Sequence, residues 1–403
     1  MKRMLSFVAA SALAVGLVAC GSDDKKSSDT TAAGAATTAA GAASTAAGAA
    51  TTAAGGSAPA GGTEGQAAAD SAKARIQPLL DPVTQIPVTE KLKAVPAKGK
   101  KLYWLEGNIE SIAPITGGFE AASKAIGWDL TTITYDPSDP QGVNSAMQQA
   151  VDAGADFIAV SGQPISAMET ALAAAKAKNI PVFAMFGENE IDVDKGIVGV
   201  VGGLNQTAAN AQNITDFMIS DSNGEGKFLL VNLPDFTILQ YAEKQTTDWL
   251  DKNCTSCKYD KLETTIADLT GGNVPGQVVS YLQAHSDITN VNLFIGDLAT
   301  GLPEALKAAG LDTKVHINGG VPNVPQMQSL LDKTSSAWKA LPRVSAAWQM
   351  VDAMARHDQQ MDVSVDAVVT PAPIFTQDNA PSPAADYQGV PGYEDQWKAL
   401  WGV

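Results

Sequence analysis

Basic residues are scarce in this 403-residue chain: 27 Lys and Arg stand against 43 Asp and Glu, a formal net charge of −16. That balance argues against a nucleic-acid partner, whose phosphates call for a basic face, and disfavours docking of the folded chain on anionic lipid. Histidine is scarcer still. His285, His316 and His357 are scattered, with no HExxH and no Ser/His/Asp spacing, and the GxSxG, GxGxxG and P-loop patterns are absent. No catalytic constellation is visible, so the chain is not read as an enzyme and no cofactor is expected. There are only three cysteines. A zinc site built on Cys254-Thr255-Ser256-Cys257 would need further ligands, and no second CxxC or HxxxH supplies them, so no metal is expected. The apolar stretch at residues 5–18 is too short for a comfortable membrane span.

What is present begins with a targeting segment. Lys2 and Arg3 precede that apolar stretch, which ends in Leu17-Val18-Ala19-Cys20-Gly21. This run resembles the lipobox of bacterial lipoproteins. The resemblance implies removal of residues 1–19 as a signal peptide and lipidation of Cys20. The mature chain is then extracytoplasmic (periplasmic or outer face) and meets the cell membrane through its lipid anchor alone. Residues 20–75 are read as a disordered Ala/Thr/Gly tether. Its near-repeats, such as Thr-Thr-Ala-Ala-Gly, carry too little apolar surface to offset the entropy of ordering. About fifty such residues span roughly 40 Å root-mean-square. Residues 76–98, punctuated by Pro78, Pro82, Pro87 and Pro96, are expected to form an extended lead-in.

From residue 100 onward, strand-like and helix-like patterns alternate. Apolar runs at 102–105, 130–135, 157–160, 181–186 and 197–201 are separated by helical spacing over 114–126, 139–154 and 164–178. A helix over 205–219 leads into a second series. Its strands are expected at 227–231, 262–266, 291–295, 315–318 and 335–340, with helices over 239–250, 274–285, 302–309 and 324–331. Apolar strands without alternation are buried on both faces, and crossover helices between them imply a parallel sheet. The fold class is therefore α/β, with two doubly wound parallel-sheet lobes. A helix over 342–357, an extended tail over 363–375 and a helix over 393–401, docking through Trp397 and Trp401, complete the chain. In open α/β sheets ligands bind beyond the carboxyl ends of the strands, which points to a cleft between the lobes.

Particular stretches carry a family resemblance: Gly117-Gly118-Phe119-Glu120-Ala121-Ala122, Ala150-Val151-Asp152-Ala153-Gly154-Ala155-Asp156-Phe157-Ile158, Ala173-Ala174-Ala175-Lys176 with Asn179-Ile180-Pro181-Val182, and Gly301-Leu302-Pro303-Glu304-Ala305. In this order they resemble a type I periplasmic solute-binding protein of an ABC importer, in the sugar and autoinducer-2 branch, over residues 98–375. The resemblance implies lobes at 99–204 plus 342–365 and at 205–341 plus 366–403. A three-segment hinge would lie near Leu204, Leu341 and Val365. It also implies a monomer that captures a sugar-like small solute and delivers it to an ABC permease. The family's sugar-gripping Asp-Arg pair is replaced by Phe186-Gly187-Glu188, which leaves an aromatic or other small metabolite open as the ligand. A binding lobe for a sensor kinase or chemoreceptor, or a secreted enzyme on the same fold, are the alternatives.

Strand-end polar residues are the candidate ligand contacts: Glu106, Asn108 and Ser111 after the first strand, and Gln163 after the third. In the second lobe they are Asp268, Asp297 and Asn318 after successive strands, with Gln240 near the start of its first helix. A sugar hydroxyl can donate to a carboxylate while accepting from an amide, which suits these residue types. Phe186, Phe236 and Trp338 offer faces for an apolar ring. For each, the structural alternative is a turn, a helix cap or core packing. Trp104, inside a strand, is expected in the core. Outside the cytoplasm Cys254 and Cys257 are expected to form a disulfide, with reduced thiols or a redox site as the alternatives.

Overall fold

The computed structural model describes residues 64–403; the expected signal peptide, Cys20 and residues 21–63 of the tether lie outside the described residues. Two sheets organise the chain. The first contains β1 (Lys101–Gly107), β2 (Asp129–Tyr135), β3 (Phe157–Ser161), β4 (Val182–Met185) and β5 (Ile197–Val201). All are parallel, in the order β2-β1-β3-β4-β5. The second contains β6 (Lys227–Asn232), β7 (Lys258–Glu263), β8 (Asn290–Leu293), β9 (His316–Gly320), β10 (Ala337–Lys339) and β11 (Ile374–Thr376). Its order is β11-β10-β9-β8-β6-β7, parallel except where β11 runs antiparallel along β10. The helices in chain order are α1 (Glu64–Ile76), α2 (Ala113–Ile126), α3 (Gly142–Asp152), α4 (Glu169–Ala177), α5 (Leu204–Asp221) and α6 (Thr237–Asn253). They continue with α7 (Ile266–Thr270), α8 (Val274–Ala284), α9 (Leu302–Ala308), α10 (Val324–Leu331), α11 (Arg343–Asp358) and α12 (Tyr393–Trp401). The chain is an α/β protein of two doubly wound lobes, as its strand pattern implies.

β3 and β4 are buried along their whole length because helices cover both faces of their sheet. On one face Trp104, Phe157 and Phe183 pack with Phe119 of α2 and Trp348 of α11. On the other, Ile158 and Val160 meet Met147 of α3 and Leu172 of α4. Helices α2 and α11 approach so closely that a Cβ on Gly118 would lie 2.5 Å from the Val344 carbonyl oxygen. In the second lobe Val278, Leu302 and Met327 bury one sheet face together with Trp338, while α5 and α6 cover the other through Met218 and Leu250.

Some expectations need correction. Residues 64–75, assigned to the tether, form most of α1. No glycine occurs between Gly65 and Gly99, so the helix-breaking composition ends there. Ala69, Ala72 and Ile76 share the buried face of α1, and Arg75 pairs with Asp216 of α5 at 2.6 Å. The strand expected at 262–266 lies earlier, at Lys258–Glu263, and is followed by α7. It is an edge strand, so its half-exposed, charge-rich pattern hides it from an apolar scan. Residues 390–401, placed with the second lobe, pack in the first: Trp401 stacks on Trp348 with ring centroids 5.2 Å apart, and its Nε1 donates to Asp352 at 2.6 Å.

The three expected hinge crossings are present: at Gly202 and Gly203, around Leu341, and between Val365 and Ile374. The chain crosses twice more, between Leu80 and Val83 and between Ala384 and Val390.

Candidate functional site

A cavity of about 150 Å³ lies where the carboxyl ends of the two sheets meet. From the first lobe, Ile109, Ser111 and Ile112 follow β1, Ser161 ends β3, and Phe186 follows β4. From the second, Asn292 lies in β8, Gly320 ends β9, Lys339 ends β10, and Phe236 immediately precedes α6. Gln206, Thr207 and Asn210 reach it from the first turns of α5. Gly202, just beyond β5, has φ +65°, and a Cβ there would meet the Phe186 ring at 2.5 Å. Glycine takes that backbone without a Cβ penalty and lets the ring lie against it.

The lining is mostly aliphatic and aromatic, with no Asp or Glu; its charged members are Lys339 and Arg343. Lys339 is buried, its Nζ donates to the Ala372 carbonyl, and burial pushes its pKa down to about 7. Arg343 is also buried. Its Nη1 donates to the Ser111 carbonyl at 2.8 Å and to Asn323 Oδ1 at 2.7 Å, and its Nη2 donates to the Pro322 carbonyl at 2.7 Å. Burial lowers the Arg343 pKa, while Asp386, Asp297 and Glu110 act in the opposite sense. Glu110 in turn is pushed up, first by desolvation and then by the negative charges of Asp297 and Asp386.

Ser111 ties the lobes together. Its N–H donates to Asp297 Oδ1 at 3.2 Å, and Asp297 Oδ2 accepts from Asn323 at 3.4 Å. Arg343, at the hinge, grips the same serine from the carbonyl side. Gln206 is committed as well: its Oε1 accepts from the Thr370 N–H at 2.6 Å and its Nε2 donates to Asn210 at 3.0 Å. By contrast, Asn292 Oδ1 and both amide atoms of Asn318, which neighbours it in register on β9, have no hydrogen-bond partner among the described residues.

Of the residues singled out from sequence, Ser111, Phe186 and Phe236 line the cavity. Asp297 touches it through Ser111, and Asn318 lies fully buried beside Asn292. The others do not reach it, because local structure uses them. Glu106 accepts from Thr116 and Thr134 inside the first lobe, and Asn108 is exposed, its N–H donating to the Tyr135 carbonyl. The Gln163 carbonyl accepts from Asn189 outside the lining. Gln240 is exposed and donates to the Pro234 carbonyl. Asp268 forms a capping box with Thr265 at the start of α7. Trp338 and Trp104 are core residues. Cys254 and Cys257 are joined by a disulfide. Sequence reasoning missed Lys339, Arg343, Asn292 and Thr207; a lone lysine in an otherwise apolar strand was the signal available for Lys339.

Among the described residues no group of three His, Cys, Asp or Glu side chains is placed to hold a metal ion, and no helix is long and apolar enough to cross a membrane.

Residues 104–360 match the sequence model of the periplasmic binding protein domain. No curated protein matches the chain by sequence. Solved structures do resemble it. GanP, a glucose-galactose binding protein from Geobacillus stearothermophilus, is 16% identical, with a TM-score of 0.62 over 71% of this chain and 100% of its own. A carbohydrate transporter from Acidothermus cellulolyticus 11B, in complex with myo-inositol, is 19% identical, with a TM-score of 0.60 over 70% and 96%. An ABC transporter solute binding protein from Burkholderia graminis C4D1M, in complex with D-arabinose, is 14% identical, with a TM-score of 0.64 over 71% and 98%. At such identities the likeness speaks to the fold alone.

Proposed function

Since the chain belongs to the periplasmic binding protein family, we propose that it captures a small solute between its lobes and delivers it to an ABC importer. One observation carries this reading: the cavity is walled by strand ends of both sheets, so a solute there touches both lobes at once. A solute with contacts on both lobes favours the closed form over the open one, and a permease can read that difference on the outer faces. The sugars and polyol held by the structural neighbours set the comparison class for the solute. Lipidation at Cys20 would keep the captured solute near the membrane.

The test is a thermal-shift screen of the full chain against sugars, polyols, amino acids and aromatic acids. A solute at about a thousandfold its dissociation constant adds roughly 4 kcal/mol to the native state, enough to raise the unfolding midpoint by several degrees. A hit is then followed by uptake of the labelled solute in cells with and without the gene. Silence across the panel overturns the capture reading; a hit whose uptake is unaffected by deletion overturns delivery and favours a sensor.

A further inference from the structure

We propose that the solute is a compact, apolar-bodied carboxylate, held in the cavity with its anionic end at Lys339 and its body against Phe186 and Phe236. The inference rests on the capture reading above and narrows its ligand class.

The lining has hydroxyls and amides but lacks the carboxylate that a buried sugar hydroxyl would donate to. A polyol presents donors and acceptors around its whole rim, and each must be matched when it is buried. Here the side-chain amides of Gln206 are held by Thr370 and Asn210. Arg343 has two of its nitrogens engaged with Ser111, Asn323 and Pro322. No carboxylate lines the cavity to accept from a hydroxyl. An apolar cavity of about 150 Å³ is large enough to take a single benzene ring.

The Lys339 side of the lining suits an acceptor. Lys339 is fully buried with one recorded acceptor, the Ala372 carbonyl, for its three donors. Among the described residues no carboxylate is paired with it, and burial disfavours its charged form. Neighbouring strands place two amides on the same sheet face: Asn292 pairs in register with Asn318, and Asn318 with Ala337, two residues before Lys339. Both amide atoms of Asn318 and the Oδ1 of Asn292 lack partners among the described residues. A buried lysine on the sheet face that also carries Asn292 and Asn318, lining an aromatic chamber that has no carboxylate, is complementary to a carboxylate on an apolar body. The chain's overall charge of −16 opposes an anion only weakly, because exposed charges more than about 8 Å away are screened at physiological salt.

Matched ligand pairs test the class on the full chain by titration calorimetry: benzoate, phenylacetate and cyclohexanecarboxylate against their primary amides, with D-galactose and myo-inositol alongside. At least one acid is expected to bind tenfold or more tighter than its amide, and Lys339→Met to abolish that preference while remaining folded by circular dichroism. Equal affinity for acid and amide, or a preference that survives Lys339→Met, overturns the inference. Binding of a sugar with no acid bound overturns it too, yet leaves the capture reading intact. Absence of binding by every acid, amide and sugar counts against both.

Discussion

The backbone N–H of Ser111 donates to the carboxylate of Asp297 at 3.2 Å, across the gap between the first and second lobes. Each residue follows the end of a central strand, β1 in one sheet and β8 in the other, so the bond exists only while the lobes are together. Asp297 thus bridges the lobes and does not line the cavity.

Removing that carboxylate is expected to weaken solute binding without unfolding the chain. A hydrogen bond to a charged group contributes about 1.5–3 kcal/mol, so Asp297→Ala should raise the dissociation constant by roughly tenfold or more. Calorimetry reads the affinity, and small-angle scattering should show a larger radius of gyration for the unliganded variant. An unchanged affinity would remove this contact from the closed state.

Lys339 should cost the fold stability in return for its place in the cavity. In the unfolded chain it holds its proton up to about pH 10.4, and in the folded chain only to about 7. Between those values the unfolded state binds more protons, so this residue makes stability rise with pH, by up to about 1.4 kcal/mol per unit. Lys339→Met is expected to stabilise the protein by roughly 2 kcal/mol at pH 7. Its advantage over the wild type should shrink as thermal melts are repeated toward pH 9.

Gly202→Ala should harm binding more than folding. The new Cβ would strain a left-handed backbone by about 1 kcal/mol and meet the Phe186 ring at 2.5 Å. The ring has to move, and it is a wall of the cavity. The expected outcome is a midpoint lowered by a few degrees with a much larger proportional loss of affinity, measured by melting and titration of the same sample.

Trp401→Ala should destabilise the first lobe by about 3–5 kcal/mol. The indole stacks on Trp348 and donates to the buried Asp352, whose other oxygen accepts from Arg356 at 2.5 Å. Denaturant unfolding measures the loss. A small change would show that α12 docks only loosely.

The architecture was legible because parallel strands covered on both faces are continuous apolar runs, and Phe157-Ile158-Ala159-Val160 is one that nothing else mimics. β7 was misplaced for the converse reason: Tyr259, Asp260 and Lys261 lie on a sheet edge, where half-exposed positions take polar and charged residues. α1 hid in alanine-rich sequence, and what distinguishes it from the tether is that no glycine follows Gly65 in its first turn. In the site, Ser111, Phe186 and Phe236 were found at strand ends and before a helix. Glu106, Gln240 and Asp268 occupy similar positions, but the sequence does not show that Thr116, Pro234 and Thr265 already engage them. Lys339 and Asn292 escaped because they lie inside strands, where core packing is the ordinary expectation.

Five chain passages join the lobes among the described residues, two more than the expected hinge. Lobes bound at so many places have few ways of being open. Every added passage restricts how far the lobes can part, so less conformational freedom is lost when a solute is enclosed and more of each contact's free energy appears as affinity. The same stiffness bears on release. A solute held by a pre-organised clamp leaves slowly.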